Sequence, residues 1–449
     1  MQSDHTIVIG GGISGLAAGY DLARAGAPHT LLEARPRMGG VIETQHAQDC
    51  VLECGPDSFI SAKPEALKLI CELGLEDQVI ASNDQDRVTY ILKNGRLVPL
   101  PEGVMMMVPT RAWPMIRTPL IGWGTKIRMA AELFRKPRTL PDRSVADFVV
   151  DHFGEETMDY LAEPLLSGVY GGDVRKLSAA SVLPRFVEME AKNGSLARAA
   201  LRAKRSGGGP LFRTLKNGLS QLVDALAGKV QVRHLTADAV ERGENGFRVR
   251  AGGDWMDAGH VVIATPAHQA AGLVAGLDAE LAGLLEAIGY SSAALVSLVY
   301  DDARFDGRRA GFGFLIPSRE RRRLMAATFV TSKFPNRAPD GRLVLRCFFG
   351  GAGDEAVLGE SDESLTAMAR NELTQILNLT VQPLHTVVSR WPHSMAQYEV
   401  GHSKRITEIE ARAGAIPGLY LAGNAYHGIG IPDCIRTGRE AASRILKRA

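Results

Sequence analysis

Residues Thr6–Leu16 read TIVIGGGISGL, and Glu33 closes the run HTLLE 18 residues after Gly15. Ile7, Val8 and Ile9 form a short apolar strand that runs directly into the glycines. Gly10 supplies the tight turn, Gly12 lets backbone approach a pyrophosphate, and Gly15 lets a helix pack closely on the strand. Gly11, Ile13 and Ser14 fill the turn and open the helix, whose free N–H groups and positive dipole end suit a phosphate. Glu33, at the end of the second strand, can accept hydrogen bonds from ribose hydroxyls. Glycine turns are common, but this spacing, with strand before, helix after and acid beyond, points to a dinucleotide.

Glu33 continues as Ala34-Arg35-Pro36-Arg37-Met38-Gly39-Gly40-Val41. This resembles the E-A-x-x-R-x-G-G extension of FAD-dependent oxidases and desaturases of the amine oxidase superfamily. The resemblance implies FAD, with Arg37 and the glycines continuing the contact with its diphosphate, and with Glu33, Ala34, Arg37, Gly40 and Val41 at positions that match FAD contacts.

Composition narrows the setting. The chain has 449 residues, 45% of them hydrophobic, enough for two or three domains. A net charge of +2 argues against a general nucleic-acid binder. Five cysteines without a CxxC pair read as buried thiols in a reducing cytoplasm, and Cys50 and Cys54 have no histidine cluster to make a metal site. The nucleotide motif starts almost at Met1, leaving no room for a signal peptide, and no apolar run is long enough to span a membrane. A cytoplasmic protein is therefore expected.

Further along, periodicity predicts a helix over 63–74, a β-hairpin over 87–100 turning at Asn94-Gly95, and a break at 206–209 (SGGG). It predicts strands at 261–265, 295–300, 311–316 and 343–349, and helices over 362–379 and 433–447. GLYLAGN near residue 421 reads as a late strand of the nucleotide domain, which would then be discontinuous. Residues 110–205 are helical and basic, with 16 Lys and Arg against 11 Asp and Glu. Within them Arg111, Arg117, Lys126, Arg128, Arg135, Lys136 and Arg138 interleave with Trp113, Ile116, Trp123 and Phe134, a mix found in interfacial membrane helices and also in ordinary basic faces.

Gly55-Pro56-Asp57-Ser58, Ser167–Asp173 (SGVYGGD) with Leu177-Ser178, Ala396–His402 (AQYEVGH) and Gly423–Ile435 (GNAYHGIGIPDCI) resemble, in this order, the bacterial porphyrinogen oxidases. That family contains coproporphyrinogen III and protoporphyrinogen IX oxidases. Ala396 departs from the proline usual there. The resemblance implies an α/β fold: a discontinuous Rossmann-like FAD-binding domain (1–85, 205–280, 413–449), an inserted mixed-sheet substrate-binding domain (86–109, 281–412) and a helical domain (110–204) that touches the membrane in some relatives. It implies that Gly55, Pro56, Asp57 and Ser58 lie against the flavin, that Ala237 holds the adenine, and that Asn424, Ile429, Gly430 and Ile431 contact the flavin ring. On the substrate side it implies Arg87 as a propionate anchor, Phe312 and Leu315 as a sandwich for the tetrapyrrole, and the carbonyl of Gly168 facing the macrocycle. Bland readings stand beside these: a solvated strand residue for Arg87, sheet core for Phe312 and Leu315, core aromatics for Tyr170 and Tyr398, and a structural histidine for His427.

The implied reaction is a six-electron oxidation of a porphyrinogen to a porphyrin in haem biosynthesis, with O2 as acceptor and H2O2 released. No residue is marked as an obligatory base. Pro432 in GIPDC resembles the coproporphyrinogen III branch, and protoporphyrinogen IX is the alternative substrate. A flavin oxidase acting on an amine or carotenoid, or a non-catalytic escort of the same fold, are the more distant readings. The former lacks support from any C-terminal cysteine motif for covalent flavin, and the intact phosphate and flavin loops oppose the latter.

Overall fold

The structure, a computed structural model, describes residues 4–202, 209–301 and 311–447. Its organising element is a five-stranded parallel sheet in the order Val232–Arg233, His29–Leu32, Thr6–Ile9, His260–Ile263, Leu419–Leu421. Thr6–Ile9 is buried throughout, as expected of a strand covered on both faces. The helix Ile13–Arg24 follows it, and the helix Ile431–Leu446 follows the last strand. These two helices touch where Gly438 meets Ser14, a β-carbon at 438 falling 2.0 Å from the Ser14 carbonyl oxygen. Both helices start beyond the carboxyl ends of their strands, the edge of an open α/β sheet where ligands bind.

A three-stranded meander (Ala237–Gly243, Gly246–Ala251, Asp254–Ala258) is inserted before His260–Ile263. The second large sheet has seven strands in the order His385–Ala396, Tyr290–Asp301, Arg342–Gly350, Ala326–Phe329, Gly313–Leu315, Thr89–Lys93, Arg96–Pro99. It is mixed, because Gly313–Leu315 runs parallel to Thr89–Ile91 while the other pairs are antiparallel. Helices between Ala112 and Arg202 form a third layer with its own core around Phe148, Phe153 and Leu161. The fold is thus α/β, with the Rossmann-like sheet, the mixed sheet and the helical part anticipated from the sequence.

Several boundaries move. The helix expected over 63–74 is Glu65–Glu72, and the strand at 311–316 shrinks to Gly313–Leu315. The hairpin starts at Thr89, so Arg87 is not a strand residue: it follows the short 3-10 turn Asp84–Asp86. The turn itself holds, with Asn94 at φ 51° and Gly95 at φ 73°. Of the expected break at 206–209, residues 206–208 lie outside the described residues. The sequence pattern does not mark the strands Ala326–Phe329 and His385–Ala396 or the helices Ala267–Val274, Ala279–Glu286 and His402–Gly414.

The helical layer is fastened by a buried charge network. His152 is fully enclosed, with Nδ1 2.9 Å from Glu132 Oε1 and Nε2 3.2 Å from Glu190 Oε1. Glu132 also accepts from Ser195 Oγ and the N–H groups of Leu196 and Ala197, and Glu190 accepts from Arg138 and Arg143.

Candidate active site

The two glycine turns meet. Gly39 N–H donates to Gly11 O at 2.8 Å, and Gly12 bridges Gly39. Glu33 ties the same corner, accepting from Gly11 N–H at 2.6 Å and Arg35 N–H at 2.8 Å. Its carboxylate still has lone pairs for a ribose. Arg37 does not project freely; it donates to the carbonyls of Met38, Ile42 and Gly40 and pairs with Glu43 at 3.1 Å, so it shapes the second turn. Ala34 and Val41 are exposed beside it. Ala237 begins the meander strand, four residues beyond Arg233; His234 Nδ1 donates to Arg35 O at 2.7 Å, which brings that segment to the Glu33 side of the sheet.

The C-terminal loop is held by Tyr398. Its hydroxyl donates to Asn424 O at 2.7 Å and accepts from Gly428 N–H at 2.8 Å, while Asn424 Nδ2 donates to Ser394 O. Ile429 and Gly430 follow, and Gly430 caps the last helix through its backbone only. Asp433, in the first turn of that helix, pairs with Lys63 at 2.6 Å. His427 pairs with Glu410 at 2.6 Å on the surface.

On the other flank, Gly55–Ser58 are fixed to the mixed sheet. Trp391 Nε1 donates to Cys54 O, Arg346 donates to Gly55 O, and Lys333 and Arg346 pair with Asp57 at 2.9 and 3.2 Å. Burial alone would raise the Asp57 carboxyl, but the two cations hold it well below the usual carboxylate range.

The substrate candidates fall into two groups. Phe312 N–H donates to Val88 O at 2.8 Å, which sets exposed Arg87 next to buried Phe312; the Phe312 ring lies 6.4 Å from Phe212, which carries Lys333 Nζ 4.8 Å above it. Gly168 and Leu315 face each other across the boundary between helical layer and mixed sheet: a β-carbon at 168 would sit 3.4 Å from Leu315 Cδ2. Two residues beyond Gly168, Tyr170 lies 6.2 Å from the Tyr398 ring. Both groups therefore connect to the cofactor candidates, the first through Lys333 and Asp57, the second through Tyr398 and Asn424. Lys333, Arg346 and Phe212 were not singled out from the sequence, because their partners are distant in the chain.

These residues fit FAD. A β-carbon at Gly12 would meet nothing within 4 Å, so the turn opens onto free space. Neither Gly12 nor Gly430 is covered by a capping side chain, leaving two helix N-termini with free N–H groups on one crevice. Thr265 Oγ1, beside Gly10, is buried without a partner.

Comparison with known proteins agrees with that chemistry. The flavin containing amine oxidoreductase profile matches residues 13–446. The chain belongs to the flavin-containing amine oxidoreductase family. This flavoprotein is 34% identical to the coproporphyrinogen III oxidase of Bacillus subtilis (strain 168) over 98% of each chain, and 30% identical to that of Staphylococcus aureus (strain NCTC 8325 / PS 47), again over 98% of each. A crystal structure from Exiguobacterium sp. 255-15 superposes with a TM-score of 0.90 at 30% identity, covering both chains completely. The cofactor of this flavoprotein is FAD, and its enzyme class is oxidoreductase.

Proposed function

We propose that this flavoprotein oxidises coproporphyrinogen III to coproporphyrin III, consuming three O2 and releasing three H2O2. The observation that carries the reading is full-length identity of 30–34% to proteins named coproporphyrinogen III oxidase in several bacteria, together with a crevice built for FAD. Bound FAD supplies the two-electron acceptor, so six electrons leave in three rounds.

The chain's own residues bind, orient and exclude water. The N–H groups opening the Ile13–Arg24 helix hold the pyrophosphate, and Glu33 accepts from the ribose. The N-terminus at Gly430 and Ile431 offers N–H donors and a positive dipole end to the ring. Asn424 and Ile429 flank it in a loop that Tyr398 keeps in one shape. Leu315 and Gly168 form the apolar slot for the macrocycle, Phe312 walls it, and Arg87 takes a propionate from its exposed position as a charge-assisted pair. The Tyr170 hydroxyl is pushed up to about 12 by burial and by Asp433, so it stays protonated and acts as a wall and donor rather than a base.

The preference for the tetracarboxylate over protoporphyrinogen IX rests on Pro432 at the start of the last helix and on the names of the relatives; a chloroplastic protoporphyrinogen oxidase of Arabidopsis thaliana is also related, at 28%. The division into FAD-binding, substrate-binding and helical domains at the boundaries expected above is part of the same proposal, and the separate parallel and mixed sheets support it. So is peripheral membrane contact. Trp113 on the helix Ala112–Arg117, Trp123 and Ile127 on the helix Trp123–Glu132, and Phe134 just beyond it are 61–83% exposed, with Arg117 and Lys126 stacked over Trp113 and Trp123, and among the described residues no helix is long and apolar enough to cross a membrane.

The test is purified protein with each porphyrinogen in the same detergent and salt, following porphyrin fluorescence, O2 and H2O2. Three H2O2 per porphyrin and a higher kcat/KM for coproporphyrinogen III are expected. A clear preference for protoporphyrinogen IX reverses the substrate choice, and no porphyrin from either substrate removes the reaction.

A further inference from the structure

The loop Gly55–Ser58 carries one negative charge, Asp57, and meets two positive ones. Arg346, on the strand Arg342–Gly350 and 2% exposed, reaches Asp57 with Nη1 and Gly55 O with Nη2, while its Nε has no partner. Lys333, at the end of the short helix Val330–Lys333, donates to both Asp57 oxygens and lies over the rings of Phe212 and Phe334. The neighbouring Glu53 has its own cation, Arg337, at 2.9 Å. One ionised carboxylate thus faces two cations, leaving one unit of positive charge in excess. Excess charge of this kind is costly away from water unless an anion stands near it.

The loop lies on the rim of the FAD crevice. Gly55 presses on the Val41 carbonyl, where a β-carbon would come within 1.8 Å, and neighbouring Gly40 stacks on Gly12. Five residues beyond Ser58, Lys63 pairs with Asp433 beside the second helix N-terminus. The stretch from Gly55 to Lys63 therefore runs from the Gly12 turn to the N-terminus of the last helix.

We propose that Lys333 and Arg346, with Asp57 as their counter-ion, tune the bound flavin: their net positive charge stabilises its anionic reduced form over the neutral oxidised form. A protein can set cofactor electronics by charge near the ring, and such a charge acts strongly where water is excluded. In this role Lys333 and Arg346 act by their charge, from the place that Asp57 holds them in. The inference rests on the FAD reading.

The experiment is the midpoint potential of the FAD-loaded protein, measured against a reference dye, with FAD affinity measured separately by fluorescence on the apoprotein. Lys333→Met removes a positive charge and should shift the reduction equilibrium about tenfold against the reduced form, about 30 mV lower for a two-electron couple. Asp57→Asn breaks the same ion pair but removes a negative charge, and should shift the potential upward. Lys333→Arg should restore the wild-type value. A purely structural latch would move the Met and Asn variants in the same direction, and that result, or no shift in either, overturns the proposal. If Lys333→Met does not fold, Arg346→Gln removes the same charge and carries the same expectation. Wild-type protein that takes up no FAD overturns the cofactor reading itself, and the affinity measurement tells that failure apart.

Discussion

Gly15 stands against the carbonyl oxygen of Gly10, so closely that a β-carbon at 15 would lie 1.9 Å from it. At Gly12, three residues earlier, the same atom would meet nothing within 4 Å. One glycine is required by protein packing and the other by something the protein does not itself provide.

Substitutions at the two positions should separate accordingly. Gly15→Ala forces helix from strand and should destabilise the apoprotein by roughly 1–3 kcal/mol, as overpacking does. Gly12→Val should leave the apoprotein's thermal unfolding near wild type yet abolish FAD uptake. An apoprotein carrying Gly12→Val that melts as low as Gly15→Ala would contradict this division.

Glu33→Ala strips the acceptor from Gly11 N–H and Arg35 N–H and from the ribose. Hydrogen bonds to a charged group contribute roughly 1.5–3 kcal/mol, so FAD should bind about 10- to 150-fold more weakly. Fluorescence titration of the apoprotein measures it, and unchanged affinity would remove Glu33 from the cofactor site.

Arg87→Ala should raise KM for coproporphyrinogen III about 10- to 150-fold, by the same charge-assisted magnitude, with little change in kcat. Arg87→Lys should recover only part of the loss, since an ammonium cannot make the bidentate pair. Steady-state kinetics decide it; an unchanged KM returns Arg87 to the solvated surface.

His402 gives the fold an acid limit. It is 2% exposed, stacked at 4.0 Å on Tyr398, and burial followed by Arg405 lowers its pKa to about 4. The unfolded chain, with an ordinary histidine near 6.5, binds more protons between those values, so stability is complete above about 6.5 and declines as pH falls to about 4. His5 and His268, also lowered by burial, add in the same direction. Denaturant unfolding across that window should show the slope, and His402→Phe should flatten it.

The exposed aromatic residues between Trp113 and Phe134 predict binding to anionic vesicles. Replacing Trp113, Trp123 and Phe134 together with serine should abolish co-sedimentation while leaving turnover of a water-dispersed porphyrinogen intact. Equal sedimentation of both proteins would refute membrane contact.

What could be read from the sequence was local. Gly10–Gly15, Glu33 and GIPDC each announce their geometry within a few residues, so the cofactor crevice was legible. The strand His385–Ala396 was hidden by Pro392 and by His393 at φ 45°, which break the alternation, and by a register shift against Ser291–Ala293. The helix His402–Gly414 was readable in hindsight, since Ile406, Ile409 and Ala413 are its buried face. Lys333 and Arg346 were not, because only tertiary pairing with Asp57 gives them meaning. Arg37 carried the right signal, yet the structure spends its guanidinium on backbone carbonyls of the turn.

The parallel sheet also has a history in time. Thr6–Ile9 pairs with His260–Ile263, which must then wait for Leu419–Leu421. At a synthesis rate of about 5–20 residues per second, the ribosome needs roughly ten to thirty seconds to deliver that last strand. Throughout that interval the nascent chain carries an open strand edge, the kind of surface that invites mispairing and chaperone attention. The helix that brings Gly430 to the crevice emerges later still. A chain halted before that helix would offer the flavin one helix N-terminus instead of two, so the proposed crevice is complete only when synthesis is nearly so.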